Sequence, residues 1–234
     1  MGEDDRMKKI GLLGAMPEEI EKLYLQMENR RQHMCGGVTF YEGTLSGKSV
    51  VLCCAGMGKA QAAAAVQLLI TSFGADAIVF SGIAGNMSSR VGIGDVVIGG
   101  TVVYHDGEPR MFAQSYPHLE EFHSDASLVA AAEKACSENN ISYIVGKIAT
   151  GDCFVGDSAT KQSIAAKCAP DCVEMEGAAV AHIAAKNDVP FVILRAMSDN
   201  ADENAFETLV VKQFDISEYC DRAAHICASL IRSL

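Results

Sequence analysis

Hydrophobic positions fall into two rhythms along the chain. Short, unbroken apolar runs alternate with alanine-rich segments of helical period, and glycines, prolines or acids divide them. Unbroken apolar runs mark strands buried on both faces, the pattern of a sheet flanked by helices. In chain order, strands are predicted at 8–15, 48–55, 76–81, 92–104, 144–150, near 173 and at 189–199. Helices are predicted from Pro17 to about 28, at 60–72, from the Ser124-Asp125 cap to about 138, at 159–167, from 177 to the Asn187-Asp188 stop, and at 217–233. Residues 33–45 read as a hairpin with Gly36-Gly37 and Gly43 as turn residues. Gly82-Ile83-Ala84-Gly85-Asn86 reads as a glycine-rich bend at a strand's end, and 105–117 as a long functional or interface loop. The stretch 206–214 follows neither rhythm.

The rest is organised around 173–199. Glu174-Met175-Glu176 ends one strand, a helix of small residues follows with His182, Lys186 and Asn187 toward solvent, and Arg195-Ala196-Met197-Ser198-Asp199 ends the next strand. Read as a β-α-β unit with parallel strands, it brings Glu176 and Asp199 to one cleft across 23 positions, because ligands bind outside the carboxyl ends of such strands. Glu19, just past the first strand, reaches the same rim. An acid early in a helix can also serve the dipole alone. That reading does not account for a carboxylate cluster and an Arg-x-x-Ser-Asp cluster ending successive strands.

Composition narrows the class. The chain has 234 residues, 49% hydrophobic and 21% charged, which suits a single α/β domain spanning 1–234, with 1–7 as an N-terminal extension. A net charge of -11 disfavours nucleic-acid and anionic-membrane partners, and no apolar run reaches the roughly 18 residues of a membrane span. Nine cysteines without a CxxC pair or zinc-ligand spacing suggest reduced, mostly buried thiols in a cytoplasmic protein; Cys153, in a loop, is the one candidate nucleophile. Gly56-Met57-Gly58-Lys59 departs from a Walker loop, with Cys53 and Ala60 where glycine and Ser or Thr are needed. It is read as a tight turn into a helix.

Five ordered motifs, Gly14-Ala15-Met16-Pro17-Glu18-Glu19, Gly82-Ile83-Ala84-Gly85, Gly151-Asp152-Cys153-Phe154, Val173-Glu174-Met175-Glu176-Gly177-Ala178-Ala179 and Arg195-Ala196-Met197-Ser198-Asp199, resemble the 5′-methylthioadenosine/S-adenosylhomocysteine nucleosidases of the purine and uridine phosphorylase superfamily. The resemblance covers nearly the whole chain. It implies a mixed central sheet partly closed into a barrel and surrounded by helices, a homodimer, no metal and no cofactor. By that resemblance Glu19 activates water, Glu176 holds the ribose hydroxyls and Asp199 protonates N7 of adenine. Glu174, Arg195 and Ser198 belong with the substrate-binding residues, and Met175 lies against the sugar. Phe154 stacks on the base, the backbone at Val155 binds adenine, and Met16 with Ile83-Ala84-Gly85 completes the wall. Phe112 crosses to the partner's alkylthio pocket, and Phe206 or Phe214 closes over the base. Ile83 stands where the family often has a small hydroxyl residue.

The chemistry independently suits these groups. Breaking an N-glycosidic bond leaves positive charge on the ribose and negative charge on the base, so an anion near the sugar and an acid at the base both lower the barrier. Asp titrates near ~3.9, so a neutral-pH acid needs roughly three units of upward bias, which a dry pocket and a stabilising hydrogen bond from Ser198 or nearby backbone are expected to supply. A phosphorylase of the same fold would need arginines where this chain has Pro17-Glu18-Glu19 and Val79-Phe80-Ser81. A non-catalytic nucleoside-binding protein would have lost one of the three acids.

Overall fold

The computed structural model describes residues 7–205 and 216–234. The N-terminal extension up to residue 6, and both Phe206 and Phe214, lie outside the described residues. Elements run β1 (Ile10–Gly14), α1 (Pro17–Gln26), β2 (Glu28–Cys35), β3 (Val38–Leu45), β4 (Lys48–Cys54), α2 (Lys59–Thr71), β5 (Ala77–Asn86), β6 (Val96–Tyr104), α3 (Pro109–Phe112), β7 (Phe122–His123), α4 (Ala126–Glu138), β8 (Tyr143–Thr150), α5 (Ser158–Cys168), β9 (Cys172–Glu174), α6 (Gly177–Lys186), β10 (Phe191–Asp199), the single turn α7 (Glu203–Ala205) and α8 (Ser217–Ser233). Pro17 opens α1 and Asp125 precedes α4, as their sequence signals require. Asp125 caps α4 by accepting from Ser127 N and Leu128 N, and Asp157 caps α5 through Thr160 N.

The sheet runs β10-β6-β8-β9-β5-β1-β4-β3-β2, and β10 also pairs with β5. Five strands, β5, β10, β6, β8 and β9, therefore close into a barrel, from which β1, β4, β3 and β2 extend as an open wing. The joint is β5. Its first half pairs with β1, from Ile10 opposite Ala77 to Leu13 opposite Phe80, and its last two residues pair with β9, Gly85 with Val173 and Asn86 with Cys172. Strand β10 follows its other edge throughout. Between Phe80 and Gly85, one edge of β5 faces no strand among the described residues, and a side chain takes up its Ile83 amide. One apolar core lies under α2 and α6 and a second under α1, α4 and α8, so helices cover both faces, as unbroken apolar strands require.

Several expectations are corrected. Strand β9 is antiparallel to β5, which is parallel to β10, so 173–199 is not a β-α-β unit of parallel neighbours. Barrel closure, rather than a shared strand direction, brings β9 and the end of β10 together beside the last residues of β5, with the end of β9 running back along that strand. Residues 82–86 continue β5 instead of bending away. Gly43 lies inside β3, where a side chain would meet Glu28 O at 2.5 Å beside the β2 register shift; it marks the bulge, and Ser46-Gly47 makes the turn. His182 stacks on Phe122 with centroids 4.8 Å apart rather than pointing freely to solvent.

Candidate active site

The gap along β5 is filled by Glu19. Pro17 starts α1 two residues after Ala15, and this short connection turns the third helical residue back over the strand ends. Glu19 Oε2 accepts from Ala15 N at 2.6 Å and Met16 N at 3.1 Å, while Oε1 accepts from Ile83 N at 3.0 Å. One carboxylate thus satisfies a strand edge and a helix entry together. Glu18, by contrast, is exposed. Burial pushes the Glu19 carboxyl above its ordinary range, against the opposing pull of Arg195 and those three amides. Gly82 makes the approach possible: a Cβ there would sit 2.5 Å from Arg195 Nη1 and 2.8 Å from Glu19 Cδ.

Arg195 enters from β10 and is 1% exposed. Its Nη2 donates to Glu174 Oε2 and lies 3.7 Å from Glu176 Oε2, and its guanidinium rests 3.8 Å over the Phe80 ring. Nε and Nη1 have no hydrogen-bond partner among the described residues. Glu174 is held on all sides, by Arg195, the Thr150 hydroxyl, Glu176 N at 3.2 Å and Gly177 N at 2.7 Å. Glu176, next to it at the start of α6, is buried and accepts from Gly58 N at 2.7 Å. Its carboxyl is pushed up to about 7 by burial and by Glu174, against Arg195 and the Gly58 amide.

Asp199 lies at the far end of β10, opposite Gly85. Its Oδ2 accepts from Ser198 Oγ at 2.8 Å and Oδ1 from Ala201 N at 2.7 Å. Burial raises its proton affinity, whereas both hydrogen bonds favour the ionised form and lower it. The expected upward bias therefore comes from desolvation, and the Ser198 hydroxyl, donating to the carboxylate, works against it. Ser198 Oγ is also 3.3 Å from Ala84 O. Rotating its one proton to that carbonyl leaves Oγ free to accept from a protonated Asp199. No contact links Arg195 to Asp199 among the described residues; the cation that acts on Asp199 is Lys161, whose Nζ donates to Asn86 O and Asn200 O and whose charge opposes the upward push of burial.

Met16, Ile83, Met175 and Asp199 are half-buried and Phe154 is 44% exposed, whereas Ala84, Gly85, Val155 and Ser198 are buried. Phe112 packs on Tyr104, centroids 4.7 Å apart, within its own chain. Sequence reading missed Thr150, Gly58 and Gly82 as site residues. Thr150 is a lone hydroxyl ending an apolar strand, and Gly58 adopts φ +93°, a conformation signalled by Gly56-x-Gly58 after a buried strand. All nine cysteines are free, and burial with nearby Asp106 raises the Cys153 thiol. Among the described residues, no group of three or more His, Cys, Asp or Glu side chains could hold a metal ion, and no helix is long and apolar enough to cross a membrane.

Comparison with known proteins places this geometry in a family. The model of the phosphorylase superfamily matches residues 9–233. The 5′-methylthioadenosine/S-adenosylhomocysteine nucleosidase of Shewanella sediminis (strain HAW-EB3) is 37% identical over 232 residues, covering 97% of this chain and 98% of the relative. The Neisseria meningitidis enzyme of that name, solved in complex with methylthio-immucillin-A, superposes with a TM-score of 0.90 at 35% identity, covering 97% of this chain and 100% of that one. The futalosine hydrolase of Helicobacter pylori strain 26695 gives a TM-score of 0.88 at 30% identity, covering 97% and 99%. With the superfamily model matching nearly the whole chain and relatives at 35–37% identity covered almost end to end, this chain belongs to the phosphorylase superfamily and, within it, to the methylthioadenosine/S-adenosylhomocysteine nucleosidases.

Proposed function

We propose that this protein hydrolyses the N-glycosidic bond of 5′-methylthioadenosine and S-adenosylhomocysteine, releasing adenine and the 5-substituted ribose. Glu176 accepts from the ribose hydroxyls and, with Glu174 behind it, supplies negative potential where oxocarbenium charge develops. Asp199 gives its proton to N7 as the electrons of the C1′–N9 bond pass into the base. Glu19, made more basic by burial, takes a proton from the water that bonds to C1′. Phe154 stacks on the base, Met175 lies against the sugar, and Met16 with Ile83, Ala84 and Gly85 forms the wall. The balance is one water consumed, with one proton moved to the base and one to Glu19.

The observation that carries hydrolysis over phosphorolysis is local charge. Three carboxylates, Glu19, Glu174 and Glu176, surround the single guanidinium of Arg195, so the site repels an anionic nucleophile. Arg90 is occupied elsewhere with Asp171 at 3.2 Å. The test is adenine release from methylthioadenosine with and without phosphate. Equal rates are expected, and dependence on phosphate would overturn the assignment. A second reading, favoured by the likeness to futalosine hydrolase, extends the substrates to 6-amino-futalosine; comparing kcat/KM across the three nucleosides decides it.

A homodimer in the cytoplasm completes the proposal. Met111, Tyr116 and Leu119 are exposed around Phe112, which suits a loop that meets a second copy, and nine free thiols suit a reducing compartment.

A further inference from the structure

Lys59, the first residue of α2, meets Asp106 and Asp152, from the loops that follow β6 and β8, at the edge of the site. Lys59 Nζ lies 2.8 and 2.7 Å from the two carboxylate oxygens of Asp106 and 3.5 Å from Asp152 Oδ2. Asp152 N donates to Asp106 Oδ2 at 2.9 Å, and Asp152 Oδ1 accepts from Lys59 N at 2.8 Å. The amide immediately before Lys59 N is that of Gly58, the donor to Glu176 Oε1. Two consecutive amides therefore point at two carboxylates, one on the clasp and one in the site. Gly58 sits at φ +93°, and a Cβ there would lie 3.2 Å from Asp152 Oδ1, so the carboxylate packs directly against this turn.

We propose that Lys59, Asp106 and Asp152 are positioning residues that fix the Gly58 amide on Glu176 and so set the placement of the ribose-binding carboxylate. The inference rests on the role given above to Glu176. The cluster is partly exposed, so as a set of surface ion pairs it contributes little to stability. Its value lies in geometry: a flexible glycine turn is held in one conformation by an acceptor on the neighbouring loop. Because the Asp152 loop also carries Phe154, base and sugar contacts are set by one clasp.

The charged groups that face Glu176 are Glu174 from β9, Arg195 from β10 and Glu19 from α1, and the Gly58 amide opposes the upward push of burial and Glu174. Releasing that amide makes the carboxylate harder to ionise, so the acidic limb of the kcat/KM profile moves to higher pH. The experiment compares wild type, Asp152→Ala, Asp152→Asn, Glu176→Gln and Asp152→Ala/Glu176→Gln for adenine release from methylthioadenosine across pH, with melting temperatures for each. Loss of one hydrogen bond to a charged group predicts roughly tenfold lower kcat/KM for Asp152→Ala and an acidic limb raised by about one unit. Asp152→Asn, which keeps an acceptor for Lys59 N, should fall between Asp152→Ala and wild type. In the Glu176→Gln background, Asp152→Ala should have little further effect. A uniform loss at every pH, or additive losses in the double variant, overturns the clasp. If Glu176→Gln alone keeps wild-type kcat/KM, the functional reading of Glu176 fails instead.

Discussion

A methyl group at Gly82 would probe the site at its most crowded point. The added Cβ would stand 2.8 Å from Glu19 Cδ and 2.5 Å from Arg195 Nη1, where ordinary contacts begin at 3.4 Å. Backbone cannot yield easily, because β5 is paired with β10 along this stretch, Gly82 opposite Arg195. The carboxylate and the guanidinium must therefore separate from β5 by roughly 1 Å, a misplacement that can cost about 10²-fold in rate. Such a shift stretches the Ile83 N–H bond to Glu19 beyond useful length, leaving a strand-edge amide unsatisfied. Overpacking of this kind destabilises by about 1–3 kcal/mol, or a few degrees of melting temperature in a chain of this size. Gly82→Ala is thus expected to stay folded and lose about 10²-fold in kcat, with a smaller change in KM. Continuous measurement of adenine release, beside a thermal melt, checks both. A folded variant within threefold of wild type would refute the claim that this contact sets the position of Glu19.

Other expectations follow from the buried acids. Because the Glu176 carboxyl is raised from 4.5 to about 7 in the folded state, folding takes up a proton between those values and stability falls as pH rises through them. Glu176→Gln should therefore stabilise the protein at pH 8, read as a higher melting temperature, give no such gain near pH 4, and lower activity; an equal gain at both pH values would contradict it. Asp199→Asn should abolish turnover while calorimetry still detects nucleoside binding, and substantial residual release of adenine would remove Asp199 from the acid's role. Raised by burial, Asp199 should also give the basic limb of the kcat profile, with rate falling as pH rises through its elevated value.

Much of the fold was written in local pattern. Short unbroken apolar runs bounded by turn residues signal strands covered on both faces, and Pro17 and Asp125 begin helices for reasons that need no neighbours. That Glu19, Glu176 and Asp199 end up beside strand termini was equally legible, since each follows or ends an apolar run. Tertiary structure decided the rest. Strand β9 is three residues long, too short for its direction to be read from sequence, and closure of the barrel against Gly85 and Asn86 made it antiparallel to β5. Which acid is held by which donor depends on groups far away in the chain: Ile83 N for Glu19 across 64 positions, Gly58 N for Glu176 across 118. Burial of one arginine among three glutamates likewise has no local signature, because proton affinity responds to desolvation and to charges brought close only by the closed sheet.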